Sequence, residues 1–129
     1  RLECAKCHHH PFEKWGQDDF YSFAAYFARV GRKGRGVSPP ISGDEEIVFT
    51  ADKGTVEHPL TGESLPPRPL FGEAPEVRDD EDPRAALTAW MIGDGSEFLS
   101  QVQVNRVWAD LMGRGLVEPV DDLRSTNPP

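Results

Sequence analysis

The stretch Cys4-Ala5-Lys6-Cys7-His8 lies near the start of the chain and is followed by two further histidines and a proline. Two thiols three positions apart, with an imidazole directly after the second, are the attachment pattern of a c-type haem. At this spacing each thiol can form a thioether to one porphyrin edge, while the imidazole approaches the iron from one face. The pattern therefore predicts haem c, with Cys4 and Cys7 as anchors and His8 as the axial ligand.

Other interpretations of the same residues remain open. Cys4 and Cys7 can also form a local disulfide or redox pair, or provide two ligands to a zinc or iron ion. In the metal interpretation the remaining ligands come from histidines, namely His8, His10 and His58. His58 directly precedes a proline, and it can equally be an ordinary turn residue that hydrogen-bonds locally. The candidates for a sixth haem ligand are His58, His10, Met112 and Met91.

Composition limits the classes of protein to consider. The 129 residues are 37% hydrophobic with 12 Gly and 12 Pro, which predicts a modest core and long irregular segments. Residues 1–36 hold seven basic side chains against four acidic ones, whereas residues 44–82 hold twelve acidic against three basic. The acidic middle argues against nucleic-acid binding. No apolar run is long enough to cross a membrane.

We expect the chain to be an internal piece of a longer protein, because the haem-type motif stands at its edge and no initiator Met is present. On that expectation, the lack of a signal peptide says nothing about export. The haem interpretation points to an exported protein, periplasmic or at the cell surface, since such attachment takes place outside the cytoplasm.

Hydrophobic periodicity predicts a mainly α fold with a small antiparallel β-hairpin and long irregular Pro- and Gly-rich loops. Helices are predicted over 17–30, over 84–92, and from a cap at Ser96 to about 112. Asp82 is the expected N-cap of the second helix, and Pro83 takes its first position. The hairpin is predicted between strands 46–50 and 55–58. The stretch 31–43 is predicted to be a loop.

The last predicted helix carries apolar and polar residues with separate roles. Its buried side is predicted to comprise Phe98, Val102, Trp108, Leu111 and Met112. Asn105 and Arg106 lie in its middle, and Arg106 or Arg114 is expected to pair with Asp121 or Asp122. Such a pair would hold the extended residues 115–120 against the helix. A hydrolase site at these polar residues ranks last, because no nucleophile is identified.

Blocks of the sequence resemble a known pair of families. Residues 3–15 (ECAKCHHHPFEKW), 17–21 and 24–30 resemble the end of a planctomycete cytochrome-associated domain, domain of unknown function 1549. Residues 104–108 (VNRVW), 113–119 and 121–124 resemble the start of its usual companion, domain of unknown function 1553. The blocks 58–62 and 66–68 resemble the region that joins them. The resemblance divides the chain into 1–75, an acidic linker 76–82, and 83–129.

This resemblance implies a large, exported, multidomain bacterial protein, often with a separate cytochrome c domain upstream, from bacteria that degrade complex polysaccharides. A redox partner protein or that upstream domain would then be the partner, and polysaccharide is a further candidate. The family has no assigned activity, so Cys4, Cys7, His8, His10 and His58 carry over as motif positions. A second hypothesis is a metal-supported structural or substrate-binding module in a polysaccharide-processing protein, without electron transfer.

Overall fold

The computed structural model describes residues 2–35, 45–78, 80–124 and 126–127. Over these residues the protein is mainly α with two small antiparallel sheets, which confirms the predicted fold class. The helices are a 3₁₀ helix Leu2–Lys6, α1 Gln17–Ala24 with a 3₁₀ continuation Ala25–Phe27, α2 Pro83–Ile92 and α3 Ser96–Met112. The strands are β1 Val30–Arg35, β2 Glu45–Thr50, β3 Val56–Glu57 and β4 Ser64–Leu65. None of the described helices is long and apolar enough to cross a membrane.

The first helix begins where the sequence predicts and ends earlier. Its start is fixed by the Asp19 carboxylate, which accepts a hydrogen bond from the backbone N–H of Gly16 at 2.8 Å. Acidic residues in a first turn also suit the positive end of the helix dipole. After Ala24 the chain tightens into the 3₁₀ continuation, where Tyr26 is fully buried and its ring meets that of Phe23 at 6.0 Å.

The predicted pairing of strands is wrong. β2 pairs with β1, so that Val30 lies opposite Thr50, and part of the predicted loop is therefore strand. The rest of that loop, 36–43, lies outside the described residues. Gly31 makes the pairing possible, because a Cβ there would come within 2.5 Å of the Phe49 ring. The short strand β3, predicted as the partner of β2, pairs with β4 instead.

The two C-terminal helices follow the predicted bounds closely, except that Ser96, predicted as the cap of α3, is its first residue and Gly95 is the N-cap. Asp82 caps α2 by accepting the backbone N–H of Arg84 at 3.0 Å, and Pro83 occupies the first turn, where its missing N–H costs nothing. α3 ends at Gly113, whose φ of 76° is a left-handed conformation that favours glycine. These bounds rest on local signals, which explains why the sequence predicted them.

The predicted buried side of α3 is also wrong. Trp108 is 41% exposed, Leu111 77% and Met112 62%. Phe98 is exposed as well, and Val102 is half-buried. The buried residue of this helix is Asn105, whose amide bonds to the backbone that follows the helix. The side of α3 that faces the protein therefore includes Asn105, which backbone hydrogen bonds hold in place.

An aromatic contact joins α1 to α2 across the middle of the chain. Trp90 meets Phe23 edge to face at 6.2 Å between ring centroids, and Phe71 at 5.0 Å. The indole N–H of Trp90 also donates to the backbone carbonyl of Phe71 at 2.9 Å. This cluster packs the N-terminal part of the chain against the C-terminal helices.

Two arginines add polar contacts around the predicted acidic linker. Arg29 donates to the backbone carbonyl of Glu81 at 2.7 Å, and Arg84 donates to the Thr50 hydroxyl at 2.8 Å. The predicted division at 76–82 stays a prediction. The Arg29 bond connects the N-terminal segment to the linker, and the Arg84 bond connects the segments on either side of it.

Candidate functional site

Cys4 and Cys7 project from one side of a tight turn. The 3₁₀ helix Leu2–Lys6 is extended by a hydrogen bond from the backbone N–H of Cys7 to the carbonyl of Cys4, at 3.4 Å. Side chains three positions apart eclipse one another in 3₁₀ geometry, so the two thiols lie on the same face. Both thiols are free and exposed, whereas Ala5 between them is fully buried. We call residues 2–8 the cysteine turn.

His8 is held in one tautomer by its neighbour. Its Nδ1 lies 2.6 Å from the backbone carbonyl oxygen of His9. A carbonyl oxygen can only accept a hydrogen bond, so Nδ1 carries the hydrogen and Nε2 of the neutral ring keeps its lone pair. Metal-bound histidines are commonly oriented in this way, with the other ring N–H donated to a carbonyl or carboxylate. His8 thus offers Nε2 as a ligand.

His10 and His58 have the opposite arrangement. Nδ1 of His10 accepts the backbone N–H of Phe12 at 3.2 Å, and Nδ1 of His58 accepts those of Leu60 and Thr61 at 3.2 and 3.3 Å. In each neutral ring the hydrogen therefore sits on Nε2. Both side chains are nearly buried, at 9% and 7% exposure. In this structure they support turns, and ligation through Nε2 would require the opposite tautomer.

The described residues do not assemble the predicted zinc or iron site. Over 2–35, 45–78, 80–124 and 126–127, no three His, Cys, Asp or Glu side chains form a group that could hold a metal ion. A structural zinc site has four ligands, at about 2.0–2.3 Å. Of the other predicted sixth ligands, Met91 lies on α2 and Met112 on α3, whereas the 3₁₀ helix packs against α1.

Two side chains of α1 hold the end of the 3₁₀ helix. The Gln17 amide donates to the Lys6 carbonyl at 3.1 Å, and the Tyr21 hydroxyl donates to the same oxygen at 3.4 Å. The Tyr21 ring in turn meets the His58 ring at 5.9 Å, and His58 Nε2 lies 3.5 Å from Asp18. Sequence reasoning missed Gln17 and Tyr21; their i, i+4 spacing on a predicted helix was the available signal.

A groove of about 540 Å³ lies between the two ends of the chain. Its walls include Leu2, His10, Trp15, Phe71, Phe98 and Arg124. The Arg124 guanidinium also stacks on the ring of Phe12 at 4.3 Å, which ties the two ends together. The thiols and His8 do not line this groove. A group attached to the cysteine turn would therefore begin on the open surface rather than inside the groove.

The polar group of α3 forms a structural clamp. The Asn105 amide donates to the carbonyls of Val117 and Val120 at 2.9 and 2.7 Å and accepts the N–H of Val117 at 2.9 Å. Arg106 makes two bonds to Asp121, at 2.7 and 3.1 Å, which confirms the predicted ion pair and raises the pKa of Arg106. We call this set of contacts the Asn105 clamp.

Both ends of the chain match known protein families. Residues 1–32 match the model of PSCyt2, a protein of unknown function (DUF1549), and residues 83–129 match that of PSD1, a protein of unknown function (DUF1553). The two matched stretches follow one another in that order along the chain. The resemblance seen in the sequence is thus confirmed. The cysteine turn lies in the PSCyt2 stretch and the Asn105 clamp in the PSD1 stretch. No curated protein and no solved structure matches the chain.

Proposed function

We propose that the cysteine turn binds haem c covalently, with thioethers from Cys4 and Cys7 and with Nε2 of His8 as the axial ligand. The observation that carries the proposal is the joint arrangement of the three side chains. Two exposed thiols share one face of a 3₁₀ turn, and the next residue donates its Nδ1–H to a carbonyl, which leaves Nε2 for the iron.

The attachment chemistry requires only the two thiols of this chain. Cys4 and Cys7 would hold the group as thioethers, each formed by addition of its S–H across one vinyl group of the haem. No electron is gained or lost in this addition. The hydrogen bond from Nδ1–H of His8 to the backbone carbonyl of His9, at 2.6 Å, orients the His8 imidazole. Bound haem supplies a one-electron iron couple.

The exposure of the cysteine turn supports an electron-transfer role. Cys4, Cys7 and His8 all face solvent and lie outside the 540 Å³ groove, so an attached group keeps an accessible edge. We propose a redox partner protein, or an upstream cytochrome domain of the same chain, as the electron donor or acceptor. Because haem c is attached outside the cytoplasm, the proposal includes export of the protein to the periplasm or cell surface.

The alternative is a zinc or iron ion that supports a structural or substrate-binding module, polysaccharide being the candidate substrate. The two adjacent, exposed thiols favour it, since they can supply half of a four-ligand zinc site. The other ligands would have to come from side chains that the described structure does not group with them. Haem attachment needs only the two thiols and one imidazole that the cysteine turn already supplies, and we therefore prefer it.

A pyridine haemochrome spectrum together with metal analysis tests the proposal. The intact protein is produced in a host with a periplasmic haem-attachment system. We expect a covalent haem band that is lost when both Cys4→Ala and Cys7→Ala are introduced, because no thioether can then form. His8→Ala should change the spin state of the bound iron, because it removes the axial imidazole.

His9→Ala is the matched control for His8→Ala. It removes the neighbouring exposed imidazole but keeps the backbone carbonyl that orients His8, so haem content and spin state should stay unchanged. Stoichiometric zinc or iron without haem in the wild-type protein would refute the haem proposal and favour the alternative.

A further inference from the structure

The end of the 3₁₀ helix has an unusual pair of donors. A helix leaves its last carbonyls without partners inside the helix, and these are normally satisfied by solvent or by caps. Here the Lys6 carbonyl receives two side-chain donors from a different element, the Gln17 amide at 3.1 Å and the Tyr21 hydroxyl at 3.4 Å. Lys6 lies between the two cysteines, so this bond acts on the backbone that separates the thiols.

The two donors reach one oxygen because of where they stand on α1. Gln17 is the first residue of the helix and Tyr21 lies four positions later, so both side chains occupy the same face. The Tyr21 ring is itself supported by the edge of His58 at 5.9 Å. His58, predicted from the sequence as a metal ligand, thus contacts a residue that holds the motif.

We propose that Gln17 and Tyr21 are positioning residues that fix Lys6 so that the thiols of Cys4 and Cys7 stay eclipsed. The thiols share a face only while the 3₁₀ turn persists through Lys6. Donation to the Lys6 carbonyl stabilises that turn and reduces the conformational freedom that the two sulfurs must lose when they bind one rigid group. This inference rests on the proposed function where it is tested on haem-loaded protein. A test on the thiols of the haem-free protein does not depend on haem binding.

The first measurement is the thiol–disulfide equilibrium of the intact, haem-free protein with glutathione. Oxidised glutathione takes the electrons: two protein thiols and one glutathione disulfide give one protein disulfide and two glutathione thiols. The equilibrium constant reports how well Cys4 and Cys7 are held together. Removing both donors should lower it about threefold to tenfold, given the usual net strength of such hydrogen bonds.

The substitutions are chosen to spare the fold. Gln17→Glu keeps the size of the side chain, loses the donor, and places a negative charge at the favourable end of α1, so the helix itself is not weakened. Tyr21→Phe removes the hydroxyl and keeps the ring against His58. Gln103→Glu, on an exposed position of α3, is the matched control and should leave the equilibrium unchanged. Thermal unfolding confirms that each variant is folded.

The second measurement is the number of thioethers in the haem-loaded protein. A single thioether shifts the haemochrome α band to longer wavelength than two thioethers do, so the band position reports whether both sulfurs reach the porphyrin. We expect the Gln17→Glu, Tyr21→Phe double variant to accumulate the single-thioether form, and the Gln103→Glu control to keep two.

The outcomes separate this inference from the proposed function. If the double variant folds and keeps both the wild-type equilibrium constant and two thioethers, the positioning role is refuted while haem binding stands. If the wild-type protein takes up no haem but the equilibrium constant still falls in the double variant, haem binding is refuted while the positioning of the thiols stands.

Discussion

The cysteine turn and the Asn105 clamp hold the two most distinctive polar groups of the chain, and they use their polar atoms in opposite ways. In the clamp, Asn105 is 3% exposed and its amide makes three hydrogen bonds to backbone groups. In the cysteine turn, the thiols face solvent and His8 donates through only one ring nitrogen. Polar groups that are hydrogen-bonded inside the fold stabilise it. Exposed thiols, or a ring nitrogen that keeps its lone pair, are available to bind a ligand.

The largest expected effect on stability comes from removing the Asn105 clamp. Asn105→Ala leaves the buried N–H and carbonyl of Val117 and the partly buried carbonyl of Val120 without their side-chain partner, and should lower the free energy of unfolding by about 3 kcal/mol. Urea titration of the haem-free protein measures the loss. Gln103→Ala, an exposed change on the same helix, should stay within about 0.5 kcal/mol of wild type. A loss below about 1 kcal/mol for Asn105→Ala would contradict the clamp.

An intermediate effect belongs to a partly exposed ion pair at the start of α2. Hydrogen bonds from the Arg84 side chain and backbone N–H lower the pKa of Asp82 from 3.8 to about 2. A carboxyl group whose pKa falls on folding stabilises the protein above its unfolded pKa, and this stabilisation is lost as the pH drops from about 4 toward 2. Because the Asp82 side chain is 34% exposed, solvent screening limits the effect to about 1 kcal/mol.

Asp82→Asn isolates this charge. The amide oxygen can still cap α2 by accepting the N–H of Arg84, but the charge that titrates is gone. We expect a loss of about 1 kcal/mol at pH 7 that is much smaller at pH 2, where about half of the Asp82 carboxyl is protonated in the folded protein, measured by urea titration at both pH values. An equal loss at both pH values would assign the effect to capping rather than to the ion pair.

The smallest expected effect lies in the cysteine turn itself. Cys7→Ser changes an exposed side chain without a bonded partner thiol, so the unfolding free energy of the haem-free protein should change by less than about 0.5 kcal/mol. The wild-type thiols should also react with a thiol reagent without prior unfolding. If Cys7→Ser lowered the free energy of unfolding as much as Asn105→Ala, the cysteine turn would be structural. The two regions would then not differ in role.

Local signals made much of the fold predictable. The sequence Asp82-Pro83 marks the start of α2, and Gly113 marks the end of α3, because capping depends on the residues at the helix end alone. The pairing of β1 with β2 escaped prediction because it depends on the Phe49 ring lying over Gly31, eighteen positions earlier in the chain. Alternating glycine and basic residues give β1 no apolar period.

The candidate site likewise has features that local sequence predicts and features that depend on the folded chain. The spacing of Cys4, Cys7 and His8 was sufficient to propose them as one site, and their joint action stays a prediction. The tautomers of His8, His10 and His58 were not predictable, because each depends on which backbone group lies beside Nδ1 in the folded chain. The roles of Gln17 and Tyr21 required the packing of α1 against the cysteine turn, which no local pattern encodes.

The contact of Trp90 with Phe23 and Phe71 has a consequence for inheritance. Trp90 lies in the stretch that matches PSD1, Phe23 in the stretch that matches PSCyt2, and Phe71 in the segment between them, so one aromatic junction connects all three. Recombination that exchanged one stretch for that of a distant relative would bring together rings that had not been selected to fit. We therefore expect the residues at these three ring positions to change together.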